Sequence, residues 1–272
     1  MVYPSRDMLM NPFPQVNGQF VFHYTTYTSA LGILLSQQIC LGSLTNMNDP
    51  LEFQDYREGS FDYCSNNKKD QPILLYSEYK NAVEEKERAV RLASFSIDEP
   101  IQKDCQEKCY NLLSKGWARS RMWAQYADNH KGLSLVFDRE FLEIEFKGAF
   151  DTYESFCDKV KYTNNLKPLK NALSSPCKSF LEGDKIKFLF QKCQDFRDEQ
   201  EFRLLLIKED LKDDKEMVSF SIEKTLCGVI MGTKFPIENR RPLQKAIECC
   251  NPKIKLFSIS WDYGMPEINN FA

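Results

Sequence analysis

The stretch Asp198-Glu199-Gln200-Glu201-Phe202-Arg203-Leu204-Leu205-Leu206-Ile207 constrains the fold of this chain most. Its apolar run is short and bounded by charge on both sides, which reads as a central strand; periodicity alone leaves a buried helical segment open. As a strand it sets Glu199, Glu201 and Arg203 on one face, because side chains alternate with period two. Carboxylates gathered on one face repel, and burying them calls for a cation or a ligand hydroxyl. Arg203 can supply the cation. The competing reading is an ion-paired strand end in solvent.

At 272 residues the chain can bury about 70% of its unfolded surface without disulfides or metals. With 42% hydrophobic and 13% aromatic residues it is globular, and a net charge of −3 gives no overall attraction to nucleic acid or membrane. No stretch approaches the roughly 20 apolar residues needed to span a bilayer. The expectation is therefore a cytoplasmic protein without a membrane partner. Ten cysteines are scattered without a CxxC pair, and there are two histidines. Zinc sites need closely spaced thiolate or imidazole ligands, so no metal is expected, and the thiols read as small core residues.

Along the chain, residues 1–18 read as an N-terminal extension and 19–272 as one domain. Gln19 to Tyr24 reads as a strand. A helix follows from Thr28 or Ser29 through Gln38, with Leu31, Leu34 and Leu35 on one face. The chain turns at Gly42 into a loop at Asn46-Met47-Asn48-Asp49-Pro50. A charged helix is predicted over Pro72–Leu92, strands at Ala93–Ile97 and Leu133–Phe137, and a helix over Trp117–Ala127 between them. Lys159–Tyr162 is a weaker strand, and Pro168–Phe196 is one helix or two, interrupted at Gly183. Strands at Val218–Ile222, Leu226–Met231 and Ile254–Ser260 enclose a helix over Pro236–Cys250. Strands adjacent in sequence near the C-terminus point to α+β with antiparallel pairing. Neither GxGxxG nor GxxxxGK[ST] occurs, which disfavours dinucleotide-fold dehydrogenases and P-loop enzymes.

Several short motifs come in a fixed order: Phe22-His23-Tyr24-Thr25; Asn48-Asp49-Pro50 with Glu52; Met122-Trp123-Ala124-Gln125-Tyr126-Ala127; Lys131-Gly132; Phe196 with Glu199, Glu201 and Arg203; and Cys227-Gly228-Val229-Ile230-Met231-Gly232. Together they resemble a bacterial family known as domain of unknown function 2971. That family is in turn distantly similar to ADP-ribosyltransferases. The resemblance implies two packed, mostly antiparallel sheets with flanking helices, and NAD as substrate. It puts His23, beside Tyr24 and Thr25, on the NAD ribose, and Ser96 of Ser94-Phe95-Ser96 in a supporting Ser-x-Ser element. Glu201, paired with Glu199, takes the catalytic place. Tyr24, Trp123 and Tyr126 are all candidates to stack on nicotinamide. Asn48, Asp49 and Glu52 form a supporting loop. The acceptor is an unidentified protein or nucleic acid, or water, and the analogy extends to a toxin or bacterial defence role.

The residue types suit that chemistry. Breaking the nicotinamide–ribose bond develops oxocarbenium charge, which a fixed carboxylate at Glu201 stabilises more than it stabilises the ground state. Glu199 would serve as base toward the acceptor, and Arg203 would keep the pair ionised. Bland readings stand beside these. His23 suits a strand histidine bonded to a backbone carbonyl, Trp123 and Tyr126 suit the core, Asn48-Asp49-Pro50 suits an ordinary turn, and His130 suits an exposed one. Two other functions fit the same residues. One is a non-catalytic nucleotide- or ligand-binding module; the other is a cysteine hydrolase using His23 with Cys40 or Cys227. The apolar neighbours of Cys40 predict a buried, inert thiol.

Overall fold

A computed structural model describes residues 19–44, 88–99, 112–164, 189–211, 213 and 215–271. The extension at 1–18, the loop residues Asn48, Asp49 and Glu52, and most of the helices predicted from Pro72 and Pro168 lie outside these residues.

The apolar run forms strand β8 (Glu201–Ile207), buried at every position. It lies between β3 (Val90–Ile97) and β5 (Glu154–Lys159), antiparallel to both. Phe202, Leu204 and Leu206 enter one core cluster, whereas Leu205 and Ile207 enter another. Apolar packing on both faces is why the strand reads as a continuous run and not as an alternation.

The other strands are β1 (Phe20–Thr25), β2 (Gln38–Ser43), β4 (Leu133–Asp138), β6 (Lys161–Thr163), β7 (Gln191–Cys193), β9 (Val218–Ser221), β10 (Leu226–Met231), β11 (Lys255–Asp262) and β12 (Met265–Asn270). The α-helices among the described residues are α1 (Tyr27–Ser36), α2 (Ser120–Gln125), α3 (Arg139–Ala149) and α4 (Arg240–Cys250). The fold is mixed α+β: a large branched sheet runs β12-β11-β10-β4-β1-β3-β2-β9, with β8 joined to β3 and β5 to β8. β6 and β7 form a separate two-stranded pair. The large sheet is antiparallel except at β10 and β11, where α4 supplies the crossover that parallel neighbours require. β9 and β10, adjacent in sequence, do not pair with each other but with β2 and β4.

Where the sheet branches matters most for function. Along one edge β3 pairs with β8 from Val90 to Ser96. Its other edge is shared: β1 holds it at Val21↔Ile97 and Phe22↔Ser96, and β2 at Gly42↔Leu92 and Ser43↔Arg91. β1 stays paired with β4 as far as Thr25. Beyond Phe22, β1 therefore peels away from β3 and leaves a gap beside Ala93–Phe95.

Several local readings are corrected. Helix α1 is capped by Thr26, whose Oγ1 accepts from Ser29 N at 3.2 Å, and not by Thr28 or Ser29. It ends before Gln37, which takes the left-handed conformation at φ 53°, so the predicted turn at Gly42 is strand β2. Ala30 and Leu34 face the core while Leu35 is 67% exposed. β3 begins at Val90, inside the predicted charged helix. The end of the helix predicted to Phe196 is β7 followed by a 3₁₀ helix over Gln194–Glu199. The helix predicted over Trp117–Ala127 divides into a 3₁₀ turn (Gly116–Ala118) and α2. Two motif glycines acquire a physical reason: a Cβ on Gly132 would strike the Thr25 carbonyl oxygen, and one on Gly232 the His130 carbonyl oxygen. His130 itself is half-buried rather than exposed.

Candidate functional site

The gap between β1 and β3 opens into a cavity of about 250 Å³. β1 contributes Phe22, His23 and Tyr24 to its lining, β2 Cys40 and Gly42, and β3 the run from Leu92 to Ser96. Among the described residues Met122, Tyr126, Lys192, Glu199 and Glu201 line it as well.

His23 stands where the ladder breaks. Its Nδ1 donates to the Ser94 carbonyl oxygen at 3.0 Å, on the edge of β3 that β1 vacates, and its ring lies 5.5 Å from that of Phe95. A carbonyl only accepts, so Nδ1 carries the hydrogen. Burial lowers the imidazole pKa and outweighs that bond, which keeps the ring neutral with Nε2 as an acceptor. The backbone-bonded strand histidine and the cavity-lining histidine are thus the same residue.

The carboxylates reach the cavity by a different route from the one alternation predicts. Glu199 ends the 3₁₀ helix, Gln200 is left-handed at φ 44°, and the strand begins only at Glu201. Alternation therefore places only Glu201 and Arg203 on a common face. Arg203 grips Glu201 with a fork, Nε to Oε1 at 2.6 Å and Nη2 to Oε2 at 3.0 Å, and its Nη1 donates to the Leu189 carbonyl at 2.7 Å. Among the described residues the carboxylate it bonds is Glu201, and it does not appear in the cavity lining.

The second cation is Lys192. Its Nζ donates to Glu199 Oε2 at 2.8 Å and to Glu201 Oε2 at 3.3 Å, and lies 4.8 Å from the Phe196 ring centroid. Tyr126 OH donates to Glu199 Oε1 at 2.8 Å, and Ser96 Oγ to the Glu199 carbonyl at 2.7 Å. The four charged residues are 1–4% exposed, two of each sign. Burial alone would push the Glu201 carboxyl up; Arg203 and Lys192 together more than offset it and hold it down to about 2. Sequence reading missed Lys192. Two buried carboxylates with one arginine call for a further cation, but the segment carrying Lys192 read as helix, which put it on no particular face.

Arg119 and Arg121 clamp the 3₁₀ helix. Arg119 Nη1 donates to the Asp198 carbonyl at 3.0 Å and Arg121 Nη1 to the Asp195 carbonyl at 2.9 Å. Cys40 faces outward on β2 between buried Ile39 and Leu41, so it is exposed at the cavity and not a core thiol. Cys227 is away from the cavity lining, and burial pushes its thiol up to about 11. Among the described residues no group of three or more His, Cys, Asp or Glu is placed to hold a metal.

The three aromatic candidates divide. Trp123 is fully buried, donates Nε1–H to the Trp117 carbonyl at 2.8 Å, and packs edge-on to Tyr24 at 5.0 Å, outside the cavity lining. Tyr24 lines the cavity, yet its hydroxyl is bound to the Gly116 carbonyl at 2.6 Å and burial raises its pKa. Tyr126 is half-buried and lines the cavity beside Glu199. Thr25 is buried at the end of β1 and does not line it. Trp123→Ala is expected to destabilise the protein by about 3–5 kcal/mol, as for other buried tryptophans. Tyr126→Phe, which loses one hydrogen bond to a charged group, should cost about 1.5–3 kcal/mol at most. Denaturant unfolding of the two variants checks the order.

These features define a mixed α+β protein with a cavity, bordered by two carboxylates and a neutral histidine, where its sheet divides. A family model described as "Protein of unknown function (DUF2971)" matches residues 122–204. This supports the resemblance to that family, over a stretch that carries Tyr126, Lys192, Glu199, Glu201 and Arg203. No curated protein and no solved structure matches the chain.

Proposed function

We propose that the cleft binds NAD and breaks its nicotinamide–ribose bond, passing ADP-ribose to a protein or nucleic-acid acceptor or to water. The observation that carries this reading is that one cavity holds both His23 and the Glu199–Glu201 pair, brought together from two distant parts of the chain. Ligand pockets run to about 300–1,000 Å³. At about 250 Å³ the cavity suits the ribosyl-nicotinamide end and not the whole dinucleotide.

In the reaction the C1′–N bond breaks and nicotinamide leaves with the electron pair, becoming neutral. The acceptor's lone pair then attacks C1′ and its proton passes to a base. Paired carboxylates suit both demands, stabilising the oxocarbenium and taking the proton. His23 Nε2, an acceptor in the tautomer set by Ser94, suits a ribose hydroxyl. An aromatic face for the departing pyridinium is available from Tyr126. The ADP-ribosyltransferase-like arrangement of two packed sheets belongs to this proposal, and the division of partners along β3 supports it. Among the described residues no helix is long and apolar enough to cross a membrane.

A non-catalytic binding module is the second reading. It is favoured by the closed ion cluster around Glu201, which would serve stability as well as chemistry. Incubating the protein with a cell lysate and NAD labelled on its adenylate phosphate tests the first reading. Transfer predicts label on a macromolecular fraction, and hydrolysis predicts labelled free ADP-ribose. Label that stays entirely in NAD favours the binding module.

A further inference from the structure

Two neighbouring buried carboxylates can both stay ionised only if buried cations oppose them, and here the cations are unequally divided. Glu201 accepts from three donors: Arg203 Nε at 2.6 Å, Arg203 Nη2 at 3.0 Å and Lys192 Nζ at 3.3 Å. Glu199 accepts from two, Tyr126 OH and Lys192 Nζ, each at 2.8 Å. An ionised carboxylate offers about four lone-pair sites. Glu199 therefore keeps the larger unused capacity, beside a tyrosine that also lines the cavity. Its backbone is held separately, by Ser96 Oγ on its carbonyl.

Among the described residues Lys192 is the one cation paired with Glu199, whereas Glu201 would keep its arginine fork without it. We infer that Lys192 is a positioning residue that pairs with the Glu199 carboxylate and holds it turned to the cavity, and that Glu199, not Glu201, is the carboxylate a ligand hydroxyl meets. Glu201 is then the anchor that ties β8 to β7 through Lys192, while Arg203, on β8 itself, reaches the Leu189 carbonyl. Among the described residues, the charged and titratable groups facing Lys192 include Glu199, Glu201 and Tyr162, with Arg203 behind Glu201 and Arg121 over the same Phe196 ring. The identity of the ligand rests on the NAD reading; the division of labour does not.

The test is infrared spectroscopy of the ligand-free protein at neutral pH. Lys192→Met leaves Glu199 with a phenol alone, and a buried carboxylate without a cation takes up a proton. A protonated-carboxyl band absent from the wild type should appear in Lys192→Met and vanish in the double variant Lys192→Met/Glu199→Gln. Lys192→Gln, which keeps hydrogen bonds and loses only the charge, serves if the methionine variant does not fold. A band that never appears, or that survives Glu199→Gln, overturns the inference. In parallel, Glu199→Gln and Lys192→Met should each lower nicotinamide release from NAD by about 100-fold, the scale of one key electrostatic group. Unchanged release in Glu199→Gln overturns the inference as well. If the wild type releases none, the NAD reading falls and the infrared result alone decides the role of Lys192.

Discussion

Glu201→Gln is expected to melt roughly 10 °C below the wild type and to lose turnover by about two to three orders of magnitude. From sequence alone this substitution looks mild, since size and polarity are kept. In the fold it leaves Arg203 and Lys192, 1% and 4% exposed, facing a neutral amide. Breaking a buried pair by removing one charge costs about 3–5 kcal/mol, and a chain of this size loses roughly 2–4 °C per kcal/mol. The turnover loss follows from the same cluster, because Lys192 also positions Glu199. The pH dependence carries the same signature. Glu201 titrates near 2 in the fold against 4.5 for the free group. Its contribution is thus fully present above about pH 4.5 and is lost as pH falls toward 2. Wild-type stability should decline across that window, and the Gln variant should lack this part of the decline. Equilibrium unfolding as a function of pH checks it; matching curves for the two proteins would contradict the geometry.

Arg203→Lys is the second large effect, expected to cost about 2–4 kcal/mol although charge is conserved. The guanidinium makes two parallel bonds to Glu201 and a third to the Leu189 carbonyl, all while buried. An ammonium is a point charge and cannot reproduce the fork, so the Leu189 carbonyl or one carboxylate oxygen loses its partner. Denaturant unfolding measures the loss directly. A change within about 0.5 kcal/mol, the usual range for a surface substitution, would show that the fork is not what holds β8.

What the sequence makes legible follows from how local the cause is. β8 shows itself because its burial on two faces is written as one apolar run ending in charge. β1, β4, β10 and β11 are likewise visible as apolar segments between turn residues. β2 is hidden because a non-glycine residue, Gln37, takes the left-handed conformation and ends α1 early. Glu199 leaves the strand for the same kind of reason at Gln200. Nothing in residue type announces either. β5 has only exposed and half-buried residues and so little apolar signal in the sequence. The candidate site is legible as a set of polar residues in order, but not in its wiring. That Arg203 bonds Glu201 and Lys192 bonds both carboxylates depends on where β7 meets β8. Trp123 belongs to the core because its indole finds a partner at Trp117, six residues away.

The most direct measurement on the central claim is nicotinamide release from NAD by the purified wild-type protein, with and without lysate, alongside Glu199→Gln checked for folding by circular dichroism. A catalytic cleft predicts release by the wild type and about 100-fold less by a Glu199→Gln variant that is still folded. No release by the wild type under any of these conditions, or equal release by the two folded proteins, would contradict it.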